Sequence, residues 1–309
     1  MKLLSCILLS LFFTLQAFAE KEYIPQAEKV TANVYALIGP LGQRSTLNDG
    51  LNNNQGFIVT DKGVILIDSG ASKISAEKIA QAVKKITAKK VKWVINTGSQ
   101  DHRWLGNDFF ASQGAEIIAL ERTAETQSQY ADQQMKSMKR FLGKRLVGTN
   151  PAPATKTYKG NDVSLKLGGE TLVLHYTDAH FPGDAWVWLP KQSVIFSGDL
   201  VYVDRVFAVL PWSSVRNGQK AYKEMEALKP KYIVPGHGRV SDTKRARKDC
   251  GDYYDFLANK IGKAAEEMES LPDVINHYDM HPDFIHLKNF NDLHRKNMSR
   301  AFLEYESAQ

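Results

Sequence analysis

The stretch Asn96–Asn107, NTGSQDHRWLGN, follows the apolar run Val91–Ile95 and precedes the apolar residues Phe109–Ala111. The run predicts a buried strand, and the residues after the stretch predict the start of a helix. Polar side chains at the carboxyl end of a strand are where α/β sheets usually place their chemistry. Asp101 and His102 are adjacent here, and a carboxylate beside an imidazole is half of a zinc site. Taken alone, the stretch is better explained by a loop with a capping aspartate and a solvated histidine.

Three further loops repeat this arrangement, each with an Asp or a His directly after an apolar run. Glycine or proline beside the polar residue lets the backbone turn sharply, so that the polar side chain can point toward a site that the loops form together. A single loop histidine is usually polar surface, but four such loops in one chain indicate a metal site. The three loops are Asp178–Asp184, Phe196–Leu200 and Pro235–Gly238.

The order of the predicted elements is that of an α/β protein. Strands and helices alternate over residues 25–125 and again over residues 160–240, and each half ends on a polar loop. Two β-branched runs around Asp61–Gly63 predict a hairpin, and residues 29–38 predict one half-buried strand. Further helices are predicted over residues 73–88, 121–146, 218–228, 241–269 and 290–306.

The composition is that of a soluble globular protein with one large or two small domains. The chain has 309 residues, of which 43% are hydrophobic and 24% are charged. Its formal net charge of +6 comes from basic residues that are spread out, which favours solvated helix faces over nucleic-acid binding. No stretch beyond the N-terminus approaches ~20 apolar residues, so no membrane span is predicted. Cys250 lies between acidic residues and is expected to be structural, without a disulfide.

The N-terminal residues predict export to the periplasm, with no membrane anchor in the mature chain. Lys2 precedes an apolar run from Leu3 to Phe13, and Ala17–Ala19 has the small-x-small form of a cleavage site, so residues 1–19 form a signal peptide. The mature N-terminus is expected at or near Glu20. Mass spectrometry of the protein from a periplasmic extract would check this. Native protein recovered from the cytoplasm with its first residues intact would contradict it.

Together the loops resemble those of the metallo-β-lactamase-fold hydrolases. The resemblance covers residues 28–240, in the family's order. It implies an α/β fold, the αββα metallo-β-lactamase sandwich, with the metal site at the edge of the two sheets. Residues 20–240 would then form this domain and residues 241–309 a helical C-terminal extension. The segments that carry the resemblance are Gly63–Gly70, Asn96–Thr97, His180–Gly183, Ser197–Asp199 and Pro235–Gly238.

The chain departs from the family's main motif, H-x-H-x-D-H. Without a gap, the first two histidines fall on Gly98 and Gln100, and the Asp-His pair falls on His102 and Arg103. A guanidinium stays protonated and offers no acceptor, so Arg103 cannot be a ligand. A shift of one residue places the Asp-His pair on Asp101 and His102, and this register is preferred on chemical grounds.

The resemblance then implies one metal ion per chain rather than two, and zinc is the expected metal. Of the first site's ligands only His180 remains, so His180 and Gln100 would serve there as partners for water or substrate. All matches to the second site's ligands are present. The candidate catalytic residues are Asp101, His180 and Gln100. The candidate metal ligands are Asp101, His102, His180, Asp199 and His237.

These features predict a secreted zinc-dependent hydrolase with a small-molecule substrate. Zinc lowers the pKa of a bound water to about 7. Asp101 would ligate the metal and orient that water for attack on an ester, thioester or lactam carbonyl. The alternatives are a glyoxalase II-like thioesterase and a non-catalytic periplasmic protein that binds a metal or ligand. A metal-free relative is disfavoured because every second-site ligand survives.

Two further roles follow from the same comparison. Asp68 is expected to orient a ligand or to bond the loop backbone behind the site. Arg103 is a candidate contact for an anionic substrate. Specificity is expected to lie in the loops at residues 39–54, 121–160 and 204–217.

Overall fold

The computed structural model describes residues 22–307, and the predicted signal peptide lies outside this range. Two sheets form the centre of the fold, one made of the first seven strands and one made of the last five, and in both sheets the neighbouring strands follow chain order. The strands are β1 (Ala27–Thr31), β2 (Val34–Leu37), β3 (Gln55–Thr60), β4 (Gly63–Ile67), β5 (Val91–Ile95), β6 (Glu116–Leu120), β7 (Lys156–Tyr158), β8 (Asp162–Leu167), β9 (Glu170–Tyr176), β10 (Ala185–Leu189), β11 (Val194–Phe196) and β12 (Tyr232–Val234).

Helices cover the outer faces of both sheets. From Thr243 to Glu266 the chain stays helical through two π-helical turns, Arg247–Gly251 and Leu257–Gly262. No helix among residues 22–307 is long and apolar enough to cross a membrane. The helices are α1 (Lys73–Ile86), α2 (Asp101–Trp104), α3 (Asn107–Ser112), α4 (Glu121–Leu142), α5 (Val215–Ala227), α6 (Thr243–Ala246), α7 (Asp252–Phe256), α8 (Lys263–Glu266), α9 (Leu271–Tyr278) and α10 (Phe290–Glu306).

The strand directions bring the polar loops to one edge. In the first sheet β4, β5, β6 and β7 pair in parallel, so the loops after β4 and β5 leave from the same end. In the second sheet β11 and β12 also pair in parallel, which places the turn Gly198–Leu200 beside the loop that holds His237. Parallel pairing therefore aligns the loops after β5, β11 and β12 at the ends of their sheets, and the antiparallel pairing of β10 with β11 brings the loop Asp178–Asp184 to the same end of the second sheet.

Alternating side chains of the central strands supply the layers. In β4, Ile65 and Ile67 pack between the sheets, with Val187 of β10 among their cluster. The intervening Leu66 packs with Ile79 of α1 on the outer face. Successive strand residues point to opposite faces, so one apolar strand serves two cores. The predicted αββα sandwich is confirmed.

The C-terminal helices cover the outer face of the second sheet. Phe302 of α10 and Tyr253 of α7 belong to one buried cluster with Ile195 of β11 and Phe207. Cys250 is buried in the same cluster, and burial raises the pKa of its thiol to about 12, in keeping with a structural role. The helical C-terminal part is confirmed, and the domain boundary at residue 240 stays a prediction.

Candidate metal centre

Three buried side chains from three different elements meet at the edge of the sheets. His102 of α2, Asp199 of the turn after β11 and His237 of the loop after β12 place their ligand atoms within 4.8 Å of one another. His102 Nε2 lies 3.2 Å from Asp199 Oδ2, and His237 Nε2 lies 3.1 Å from Asp199 Oδ1. This is the one such group of His, Cys, Asp or Glu side chains within residues 22–307. Two imidazoles and a carboxylate are typical zinc ligands.

The hydrogen bonds of His237 prepare its Nε2 for a cation. Nδ1 lies 2.6 Å from the carbonyl oxygen of Asn52, so Nδ1 carries the proton and donates it. Nε2 is then unprotonated and faces an Asp199 oxygen that can only accept. Burial lowers the pKa of His237 well below its usual value, which disfavours a second proton. A cation bound to both acceptors removes their mutual repulsion, so this pair fits a metal ion.

Asp101 does not belong to this group of potential ligands, although it contacts His102. Its Oδ2 forms an ion pair with Arg44 at 2.5 Å, and its Oδ1 lies 3.3 Å from Nδ1 of His102. Burial alone would raise the pKa of Asp101, but the charge of Arg44 and the hydrogen bond with His102 lower it to about 2. The Asp101 carboxylate is therefore ionised and lies beside His102, whose Nδ1 accepts from Nη2 of Arg44 at 2.8 Å.

The one-residue shift of the motif predicts that Asp101 and His102 both bind the metal, whereas the alignment without a gap leaves only His102 in a ligand position. The arrangement of the side chains agrees with the alignment without a gap. His102, in the place of the motif's aspartate, joins Asp199 and His237, while Asp101 pairs with Arg44. Consecutive residues of a helix point about 100° apart, so only one residue of the adjacent pair at the start of α2 can face Asp199.

Arg103, in the place of the motif's last histidine, bridges two buried carboxylates. Its Nη1 donates to Asp68 at 2.9 Å, and its Nε and Nη2 donate to the two oxygens of Asp199 at 3.1 and 2.5 Å. Burial opposes the charge, but Asp199 and Asp68 raise the pKa of Arg103. Asp68 also accepts from the amide and hydroxyl of Thr97, both at 2.7 Å, which is the loop-bonding role expected of it. The prediction that Arg103 contacts a substrate is wrong, because its guanidinium is buried and held on both sides.

A cavity of about 440 Å³ opens onto the group, within the size range of ligand pockets. His102 and His237 line it, together with Gln100 and His180, so the structure brings these four predicted site residues together. The Oε1 atom of Gln100 is buried without a hydrogen-bond partner. His180 Nε2 lies 3.4 Å from the hydroxyl of Tyr202, and His180 does not belong to the group of potential ligands.

The space of the motif's first histidine is filled by Asp184, which lies in the loop before β10. A Cβ atom on Gly98 would lie 2.6 Å from Oδ1 of Asp184. Asp184 is buried, and its Oδ2 accepts from the amide of Phe181 at 2.7 Å. Burial and the charge of Asp199 raise the pKa of Asp184 well above its usual value. A side chain at position 98 would therefore displace Asp184.

Replacing Gly98 by alanine is expected to destabilise the fold by about 1–3 kcal/mol, the usual cost of overpacking. The buried carboxyl of Asp184 must shift to admit the new Cβ atom. The matched control is Gly42→Ala, because no atom lies within 4 Å of the Cβ that it adds. Urea unfolding followed by circular dichroism measures both. Equal midpoints for the two variants would show that Asp184 adjusts freely.

Glycines allow the two ligand loops of the second sheet to touch. A Cβ atom on Gly236 would lie 2.2 Å from the carbonyl oxygen of Gly198, so a larger residue would push the loops apart. Asn54 holds the same loop from the first sheet by donating to the carbonyls of Pro235 and Gly238 at 2.8 and 2.6 Å. The position of the histidine at 237 thus depends on close backbone contact between loops of different sheets.

The cavity wall also contains side chains that the sequence does not single out, among them Arg44, Tyr202 and Arg205. Arg44 and Arg205 lie in two of the predicted specificity loops, residues 39–54 and 204–217. One signal was present in the sequence, because the polar pair Asp204 and Arg205 interrupts the otherwise apolar segment Leu200–Leu210. A charge within such a segment indicates a buried group with a specific contact.

Comparison with known proteins identifies similar chains among metallo-β-lactamases. The model of the metallo-beta-lactamase superfamily matches residues 48–237. The chain is 27% identical over 240 residues to metallo-beta-lactamase IND-1 of Chryseobacterium indologenes, covering 75% of this chain and 87% of the relative. It is 26% identical over 240 residues to metallo-beta-lactamase type 2 of Elizabethkingia meningoseptica, covering 74% and 84% of the two chains.

Solved structures show the same fold. A metallo-beta-lactamase from Pontibacter korlensis superposes with a TM-score of 0.57 and 20% identity, covering 72% of this chain and 95% of the other. A double mutant of the sec-alkyl sulfatase PisA1 superposes with a TM-score of 0.72 and 14% identity. That match covers 91% of this chain and 50% of the sulfatase, so its similarity extends into the C-terminal helices.

Proposed function

The chain belongs to the metallo-beta-lactamase superfamily of metal-dependent hydrolases, and we propose that it hydrolyses a small carbonyl substrate with a single zinc ion. The observation that carries the proposal is the buried group of His102, Asp199 and His237, whose two histidines line a cavity. The substrate would be an ester, a thioester or a lactam.

His102, Asp199 and His237 would hold the ion through two imidazole nitrogens and a carboxylate oxygen, which leaves a coordination position for water or substrate. When bound, zinc supplies Lewis acidity, which lowers the pKa of a water to about 7. Asp101 positions His102, because a proton on Nδ1 that is donated to Asp101 leaves Nε2 free as a ligand. Arg44 Nη2 also lies 2.8 Å from the same Nδ1 atom and must move for that tautomer to form.

Gln100 and His180 would act on water or substrate inside the cavity. The unpartnered Oε1 of Gln100 can accept a hydrogen bond from either. Burial lowers the pKa of His180 to about 4, so its imidazole is neutral at pH 7 and its unprotonated nitrogen can accept a hydrogen bond. The Tyr202 hydroxyl, 3.4 Å from His180 Nε2, helps to fix the ring.

The test is metal analysis of the purified mature protein together with turnover of 4-nitrophenyl acetate, a thioester and a cephalosporin. About one zinc per chain is expected, because the first site lacks two histidines and Asp184 fills part of its space. Asp199→Asn should abolish turnover. Two tightly held zinc ions would show that the account of the first site is wrong.

The same experiment separates the alternatives. Turnover restricted to the thioester would favour a glyoxalase II-like activity. Zinc without turnover of any substrate would favour a periplasmic binding protein. Export, which the first 19 residues predict, would place either protein outside the cytoplasm.

A further inference from the structure

Arg205 is a buried cation without an acidic partner. The residue is 5% exposed, and no carboxylate of the described chain, residues 22–307, forms an ion pair with it within 4.0 Å. Its Nη1 donates to the carbonyl oxygen of Leu41 at 3.0 Å, and its Nε has no hydrogen-bond partner. Burying a charge without a counter-charge is unfavourable, so such a group usually has a partner that completes it.

The other two arginines of the site are paired. Arg103 lies between two aspartates, and Arg44 pairs with Asp101. The pKa values show the same contrast. Burial lowers the pKa of Arg205, whereas aspartates raise the pKa of Arg103 in spite of burial. Arg205 therefore adds a positive charge to the cavity that the surrounding protein does not neutralise by contact.

The cavity combines this charge with the metal-binding residues and with apolar side chains. Arg205 lines the same cavity of about 440 Å³ as His102 and His237. Phe141 and Leu210 line it as well, and Phe141 is 51% exposed although it is a large apolar residue. A guanidinium offers several N–H donors in a planar array that matches the oxygens of a carboxylate, sulfate or phosphate.

We propose that Arg205 binds an oxyanionic group of the substrate, whose apolar body contacts Phe141 and Leu210 while its scissile bond lies at the His102–Asp199–His237 group. The inference rests on the proposed function, since it names the substrate class for the same cavity. The substrate is thus a small amphiphilic anion. Arg205 sets specificity by this contact and does not take part in the bond-breaking step.

The test is calorimetric titration of the zinc-loaded protein with 4-phenylbutyrate, with phenethyl sulfate and with the neutral 4-phenylbutyramide. Charge-assisted hydrogen bonds predict that at least one anion binds roughly 10- to 100-fold more tightly than the amide. The two anions distinguish a carboxylate from a sulfate as the group recognised. Equal affinities of the unmodified protein for both anions and for the amide would overturn the proposal before any variant is made.

Arg205→Gln should remove the preference for the anion, and Arg205→Lys should retain part of it because the charge remains. Arg295→Gln is the matched control, since it removes one exposed positive charge on α10. Thermal melting establishes that each variant is folded. Unchanged anion preference in folded Arg205→Gln would overturn the proposal.

A second titration, after the zinc is removed with a chelator, separates Arg205 from the metal. The preference should persist, because Arg205 does not belong to the ligand group. A preference that vanishes with zinc but survives Arg205→Gln would assign the anion to the metal and overturn the inference. Absence of all turnover, with the Arg205-dependent preference intact, would instead reject the proposed hydrolase and leave the anion site standing.

Discussion

Replacing His237 by alanine is expected to remove most of the bound zinc, whereas replacing His180 by alanine is expected to leave it bound. The two histidines look equivalent in the sequence, since each lies in a loop beside glycine or proline after a strand. The structure separates them. His237 Nε2 faces Asp199 and belongs to the ligand group, while His180 Nε2 lies near the hydroxyl of Tyr202.

The expected difference is large because three protein side chains form the group. Losing one of three ligands weakens the site far more than the roughly 10- to 100-fold loss typical of a residue that only supports a ligand. His180→Ala should therefore act on turnover or on substrate affinity. Zinc retained after dialysis, measured side by side on equal amounts of folded protein, checks both variants.

His286→Ala is the control, because His286 is exposed and its removal tests for zinc bound adventitiously at the surface. Its zinc content should equal that of the unmodified protein. If His180→Ala loses zinc as completely as His237→Ala, then His180 is a ligand. The division of the site into a retained group and an emptied first site would then have to be abandoned.

The parts of the fold that follow from local sequence were predictable. The hairpin of β3 and β4 was indicated by two β-branched runs around a glycine-containing turn, and the structure confirms it. The single strand predicted over residues 29–38 is wrong, because the chain reverses at Ala32 and Asn33 and pairs Thr31 with Val34. An alternating pattern continues through a two-residue turn, so only Asn33 marked the reversal. The sequence patterns do not indicate the short strand β7 or the helix α9.

The sequence predicts which loops form the site, but it does not predict how their side chains are arranged in space. The sequence places ligand-capable residues after strands. Parallel pairing of β11 and β12 then brings Asp199 and His237 together, and the packing of the two sheets adds His102 from α2, after β5. The sequence does not say which residue of the adjacent pair at 101 and 102 points inward, because that depends on where the short helix α2 begins. The Arg44 side chain that neutralises Asp101 comes from a loop 57 residues earlier, and no local pattern reports this contact.

Replacing Arg103 by methionine is expected to destabilise the protein by about 3–5 kcal/mol, the usual cost of removing one partner of a buried ion pair. The change leaves Asp68 and Asp199 buried without their shared counter-charge, since both side chains are at most 2% exposed. The guanidinium also places donors on both carboxylates at once. Arg103→Lys should therefore rescue only part of the loss, because an ammonium is a compact charge without that planar array.

Urea unfolding in the presence of a chelator measures this loss without a contribution from bound metal. Arg239→Met is the matched control, because Arg239 also pairs with an aspartate, Asp204, but its side chain is 66% exposed, and exposed pairs contribute about 0–1 kcal/mol. Adding Asp68→Asn to Arg103→Met should recover part of the stability, since it removes one of the two uncompensated charges. A stability of Arg103→Met within about 1 kcal/mol of the unmodified protein would mean that protonation or water compensates both carboxylates. Asp199 would then hold its position without Arg103, and the arginine in the motif's last position would have no structural role in the site.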